Sequence, residues 1–412
     1  MSSMAPHQTV VMDNGGCTIK VGLAGDLSSL RMIPNCTAKV KGERQGYIAD
    51  TVLAFQDVLS LVVRRPIDRG YVVSWDLQRD IWTRVLKHVV GVNASTIRLV
   101  LTEPLFNLPA LHDTLLQVLF EEIGVQEVFI GPPPVFSLRW HAHCHPGSLA
   151  NTAGCGLVVD AGFSFTHAVP VFDWRVLQPA VRRIDLGGKA LTNHMKALVS
   201  YRSINMMEET YLMELIKEQL CFVSQDPQTD LAASRGKASR HRRVYVLPDG
   251  VSDKLGHVLD EAGGETMPIQ KDTALVVNSE RFMVPEAIFH PSGIGLEQAG
   301  LAETIAAAVQ AAHPTLHGLL YSNVLLTGGT TTCPGFKERL ESELRPLVPD
   351  DYQLGVFLAD DPLTCAWKGA ALAAADPASS ARFITRAQYQ RSTRTTTPTP
   401  EPRLEDLWAD DE

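Results

Sequence analysis

The chain has 412 residues, 45% of them apolar and 20% charged, and a formal net charge of −9. That length exceeds one typical domain and points to two or more lobes of an ordinary globular protein. The charge argues against a surface that binds nucleic acid throughout, and seven scattered cysteines without a CxxC pair exclude a disulfide framework or a zinc ribbon.

The cysteines fit a reducing compartment. No apolar run approaches the roughly 20 residues of a membrane span. The start, MSSMAPHQTVVMD, has no charged leader and no apolar stretch, so no signal peptide is expected. Residues 9–25, TVVMDNGGCTIKVGLAG, read as a hairpin: an apolar strand ends in Asp13, a glycine turn follows, and a second strand leaves. In 74–90, Trp75, Ile81, Trp82, Val85, Leu86 and Val89 have helical spacing, with Ser74 or Asp76 to cap the start. IRLVLTE is a buried strand, and 111–123 a second helix with Leu115, Leu116, Leu119 and Phe120 on one face. WHAHCHPG alternates His141, His143 and His145, which on a strand would share a face that suits a metal.

The grammar then restarts. In GLVVDAGFSFTHAVPV an apolar strand ends in Asp160, a turn follows, and a second strand leaves. RRIDLGG is a third strand, followed by helices near 189–200 and 208–222. The polar, basic stretch 228–243 reads as an exposed loop, with Arg235, Lys237, Arg240, Arg242 and Arg243 suited to nuclear import or to DNA. After the strand VYVLPDG come a helix over 294–312, the strand YSNVLLTGG and a helix over 335–347. Residues 391–412 are Thr/Pro-rich and then acidic, and read as a disordered tail. The whole is a duplicated α/β unit.

An aspartate at the C-terminal end of a central strand stands where α/β proteins bind ligands. Asp13 and Asp160, one per half, would face each other across a cleft. Two facing carboxylates suit a hydrated Mg²⁺ on nucleotide phosphates, and the turns after them offer N–H groups to those phosphates. Simple turn-capping is the plain reading of either aspartate alone. The strand Leu325-Leu326-Thr327 ends in Gly328, Gly329 and Thr330, where a glycine pair lets backbone approach a ligand.

In this order, VVMDNGG, KVGLAGD, VVDAGFSFTHAVPV, RRIDLGGKALTNHM, IKEQLCFVSQD, ERFMVPEAIFHPSGIG, LLTGGTTTCPGF and CAWKGAALAA resemble actin and the actin-related proteins over about residues 9–390. GYVVSWDLQRDIW, LTEPLFN, MEETYLMELIKEQLCFVSQD and YVLPDG are most similar to the nuclear class 6 branch. The resemblance implies the duplicated α/β ATPase fold of the actin, chaperone and sugar-kinase superfamily, with two lobes around a nucleotide cleft. It sets a first lobe at 9–150, with a small altered second subdomain near 36–70, and a second lobe at 151–390 whose chain returns to the first near 350–390.

Carried over by residue, it implies a cofactor site of Asp13, Asn14, Gly15, Gly16, Lys20, Asp160, Gly162, Gly187, Lys217, Glu218, Gly328, Gly329 and Thr330, with Asp13 and Asp160 meeting Mg²⁺ through water. It equally admits a structural ATP or ADP and an empty cleft. No catalytic residue is expected. Pro133 stands where actin orients the attacking water with glutamine, and proline has no side-chain polar group. Gly16 and Cys17 replace a serine and a glycine in the first loop, Phe163 and Ser164 an aspartate and a glycine in the second, and Cys333 an aromatic near the adenine. His167 is retained. The inserting loop that actin uses to polymerise has little trace in 38–66, so filaments are not expected.

The function implied is a non-catalytic, nuclear subunit of a remodeller of the SWR/SRCAP type that exchanges a core histone for its variant. Its implied partners are a zinc-finger HIT-type subunit, the remodeller ATPase's insertion region and, indirectly, the nucleosome. The rivals are an active ATPase of the same superfamily and a cytoskeletal role.

Overall fold

Two antiparallel hairpins found the fold, and each seeds a sheet. The computed structural model describes residues 8–40, 42, 46–54, 61–235, 239–249, 252–259, 273–376 and 382–395. In the first half β1 (Gln8–Asn14) pairs with β2 (Thr18–Leu23), placing Asp13 opposite Lys20, and β3 (Arg31–Pro34) extends the hairpin. A small sheet follows, made of β4 (Thr37–Val40), β5 (Gly46–Ile48) and β6 (Leu61–Arg64) around Cys36, Ala38, Val52 and Leu61. The ribbon of β7 (Ile67–Asp68) and β8 (Tyr71–Val72) leads into α1 (Trp75–Arg84), β9 (Ile97–Thr102), α2 (Pro109–Gln117), β10 (Glu127–Gly131) and α3 (Pro133–Cys144). Strand β9 lies parallel to both β1 and β10, which explains the unbroken apolar runs of these strands.

The second half repeats the plan. After α4 (Leu149–Ala153), β11 (Gly156–Ala161) pairs antiparallel with β12 (Thr166–Phe172), setting Asp160 opposite His167. β13 (Arg175–Val176) and β14 (Arg182–Ile184) flank β12, and α5 (Gly188–Arg202), α6 (Thr210–Leu220) and α7 (Pro227–Ala233) follow. A second small sheet holds β15 (Arg243–Val246), β16 (His257–Val258) and β17 (Ala274–Val277). Next come α8 (Glu280–Phe289), α9 (Leu301–Gln310), α10 (His317–Tyr321), β18 (Val324–Thr327), α11 (Phe336–Leu344) and β19 (Val356–Leu358). The chain then returns to the first half with α12 (Cys365–Ala375), β20 (Ile384–Thr385) and α13 (Arg386–Thr395).

The first sheet runs β20-β10-β9-β1-β2-β3, and the second β13-β12-β11-β18-β19. Between them α12 crosses α3, with Gly369 so close that a Cβ there would lie 1.7 Å from the Phe136 carbonyl oxygen. Trp367, fully buried on α12, donates Nε1–H to the Val11 carbonyl at 2.9 Å. Leu105 and Val135 from the first half share one apolar cluster with Val158 and Leu325 from the second. The halves are therefore joined by core packing below the cleft. Among the described residues no helix is long and apolar enough to cross a membrane.

Four local expectations change. Residues 228–235 and 239–243 form no open loop: Asp226 caps α7 by accepting from the Thr229 N–H at 3.1 Å, Pro227 supplies its first residue, and Arg240 and His241 bond Asp230. His141, His143 and His145 lie on and just after α3, not on a strand, because prolines at 132 to 134 pre-set helical φ angles. Successive turns then stack His141 on His145 while His143 packs on Trp140, and no three His, Cys, Asp or Glu side chains among the described residues could hold a metal. Helix α9 starts only at Leu301, after a tight turn at Pro291–Ile294. The disordered tail was expected from 391, but α13 continues to Thr395, anchored by Tyr389 stacked on Phe120 at 4.9 Å; residues 396–412 lie outside the described residues, as do Lys237 and part of 38–66.

Candidate functional site

A cavity of about 440 Å³ opens between the ends of β1 and β11. Every expected site residue lines it except Gly187, whose neighbour Gly188 does. Asp13 accepts a hydrogen bond from Thr102 Oγ1 at 2.7 Å, and Lys20 Nζ stands 3.4 Å from its other oxygen. Burial and then the charge of Asp13 push Asp160 up to about 7, against a smaller pull from Lys20. Asn14 is tied up structurally: its Oδ1 accepts from Trp82 Nε1 at 3.1 Å and from Asn35 Nδ2 at 3.2 Å.

The glycines do different work. Gly15 makes the tight first turn, where a Cβ would sit 2.7 Å from the Thr18 carbonyl oxygen. Gly162 carbonyl accepts from Gly188 N–H at 3.0 Å and Thr330 Oγ1 at 3.1 Å, joining the second loop to α5 and to the third loop. The Phe163 carbonyl accepts from Lys189 N–H at 2.9 Å, so early N–H groups of α5 are met by protein. Gly187 packs under the second loop, 2.7 Å from the Phe165 nitrogen if given a Cβ. Gly328 has φ +90°, with its Cβ position 2.4 Å from the Ala161 carbonyl oxygen, whereas Gly329 would meet only a Leu363 side-chain carbon at 3.1 Å. Lys217 Nζ bonds the Gly188 carbonyl at 3.1 Å and Thr192 Oγ1 at 3.0 Å, and burial raises the pKa of Glu218 beside it.

The departures also face the cavity. Pro133 and Pro134 form its wall at the start of α3. His167 is held down to about 4 by burial, and its buried Nε2 has no hydrogen-bond partner among the described residues. Burial pushes the Cys333 thiol up to about 12. Sequence reasoning missed Arg65 and Glu214. Arg65 donates to the Cys17 carbonyl at 2.9 Å and to Glu214 Oε2 at 3.0 Å, and lies 4.8 Å over the Phe163 ring. Nothing near Arg65 signals this role; the signal at Glu214 is an acid on the buried face of α6.

The residues fit a nucleotide only in part. Two hard carboxylate donors across a cavity match a hydrated Mg²⁺. The space for a polyphosphate between the first two loops is narrow. A Cβ on Gly16 would lie 2.9 Å from Ser164 Oγ and 3.4 Å from Phe163 Cδ1, so these loops already touch.

Paired hairpins that bring two strand-end aspartates to one cleft define an actin-like duplicated α/β protein. Residues 4–395 match the profile of the actin family. Actin-related protein 6 of Oryza sativa subsp. indica is 43% identical over 92% of this chain and 95% of its own length. The Arabidopsis thaliana protein of that name is 40% identical over 92% and 96%, and the Drosophila melanogaster one 35% over 93% and 97%. The chain belongs to the actin family, in its class 6 actin-related branch.

Proposed function

We propose that this chain is a non-catalytic actin-related subunit of a nuclear chromatin-remodelling complex that exchanges a core histone for its variant. The observation that carries the reading is the wall at Pro133 and Pro134: neither side chain carries a donor or acceptor to orient a nucleophilic water. His167 also lines the cavity, and burial, which holds its pKa down to about 4, makes it a weak base. On this reading the chain scaffolds a zinc-finger HIT-type subunit and the remodeller ATPase's insertion region, and meets the nucleosome through them.

An active ATPase is the second reading, favoured by the retained Asp13, Lys20 and Asp160. Single-turnover ATP hydrolysis by the purified chain, beside Pro133→Gln, separates the two. The scaffold reading expects no turnover above background from the unmodified chain and sinks if it is robust. Pull-down from nuclear extract, with the partners identified by mass, tests the assembly.

A further inference from the structure

The charged and aromatic groups above the cleft form one bridge. Arg65 sits in the link between β6 and β7, and Glu214 on α6 in the opposite half. Glu214 is used at both oxygens: Oε2 accepts from Arg65, and Oε1 accepts from the Cys17 thiol at 3.3 Å. Burial and then the Glu214 charge push that thiol up to about 12, so it stays a donor. Both charged side chains are largely buried, at 15% and 8% exposure. Phe163 lies beneath the guanidinium and beside Gly16, narrowing the space between the first two loops. Two further links span the same gap: Lys189 Nζ meets Asp68 at 2.5 Å, and Tyr71 packs edge-on to Phe165 at 6.5 Å.

We propose that this clasp of Arg65, Glu214, Cys17 and Phe163 holds the cleft shut in place of a nucleotide polyphosphate, and that Phe163 is the residue that excludes the phosphates. The proposal deepens the scaffold reading and rests on it. A ligand that binds only the folded state stabilises it by an amount that grows with the logarithm of its concentration over its Kd. A bridge of protein groups achieves closure without one, and closure then does not vary with nucleotide supply. The base end of the cavity, near Lys217 and Cys333, is not filled by the clasp. A nucleoside without phosphates is therefore less affected by Phe163 than a triphosphate.

The test uses the full chain. Nucleotide released on denaturation is measured first: the clasp expects none at stoichiometry, and one tightly held ATP or ADP per chain overturns it. Calorimetry with Mg-ATP and with adenosine follows on the unmodified chain and on Phe163→Gly. The variant should bind Mg-ATP at least ~10-fold tighter, with adenosine affinity unchanged. Equal Mg-ATP affinity, or an equal gain for adenosine, overturns the proposal. Hydrogen exchange over residues 61–72 and 210–220 should rise in Arg65→Met, and unchanged exchange overturns the closure. Should that variant fail to fold, Arg65→Lys, which keeps the charge but not the two-pronged geometry, is compared in its place with the same criterion. Tight ATP without turnover sinks only the clasp, whereas turnover sinks the scaffold reading as well.

Discussion

Asp160 and Asp13 end the opening strands of the two hairpins and line one cavity, so the charge of one weighs on the proton of the other. Asp160 therefore titrates at about 7 in the folded chain, against an ordinary 3.8. Between those values the folded state holds a proton that the unfolded state has released. The Asp160 contribution is complete below the lower value and lost as pH rises to the upper one, by roughly 4 kcal/mol as an upper bound. Asp160→Asn mimics the protonated acid. It should match the unmodified chain near pH 4 and melt higher at pH 8, read by thermal unfolding across that range. A lower melting point at pH 8 would refute the assignment.

The glycine pair of the third loop should split on substitution. Gly328→Ala forces a side chain into a left-handed conformation and against the Ala161 carbonyl, so a loss above ~2 kcal/mol is expected. Gly329→Ala meets only the flexible end of Leu363 and should cost under ~1 kcal/mol. Urea unfolding of both variants checks the ratio. Equal losses would mean that the pair acts as a unit.

These particular residues show what was legible in advance. Asp13 and Asp160 were, because an apolar strand that ends in an acid is a local pattern, and it occurs twice. Strands β9 and β18 were, as strands, because burial leaves the apolar runs Leu99-Val100-Leu101 and Val324-Leu325-Leu326. The contact of Gly369 with Phe136 was not, since a glycine in an alanine-rich helix looks merely weak until the crossing partner is known. Arg65 and Glu214 lie 149 positions apart, and no spacing rule connects them. The run 228–243 misled because its basic residues looked solvated. In the fold Arg235 and Arg240 are indeed exposed, but Asp230 on α7 takes hydrogen bonds from Arg240 and His241, so the run is folded onto a helix rather than left as a loop.

Arg339 should be the most costly surface-distant charge to remove. Its guanidinium reaches both oxygens of Glu286, at 3.1 and 2.9 Å, and the Ser224 carbonyl at 2.6 Å, with 6% of the side chain exposed. Arg339→Met takes the cation away from Glu286, which is buried, and from Glu343, for a loss of about 3–5 kcal/mol. Adding Glu286→Gln should recover much of it. Chemical unfolding of the single and double variants measures the recovery, and strict additivity would show that the two residues act independently.

His167 opposes Asp160 in its effect on acid stability. Burial holds its pKa at about 4, below the ordinary 6.5, so the unfolded chain takes up a proton that the folded chain refuses. Its contribution is present above 6.5 and lost as pH falls toward 4, whereas that of Asp160 grows over the same interval. His141, also pressed down to about 4 by burial and by His145, adds to the His167 side. The Asp160 slope offsets part of the histidine slopes in the unmodified chain, and single substitutions expose each one. His167→Phe, placed between Phe165 and Phe106, removes a buried nitrogen that lacks a partner among the described residues. It should fold at least as stably at pH 7 and melt higher than the unmodified chain at pH 5, while Asp160→Asn becomes the more acid-sensitive of the two. Melting curves at pH 5 and pH 7 for both variants decide the matter. A His167→Phe protein that loses stability on acidification faster than the unmodified chain would reverse the sign and remove His167 from the account.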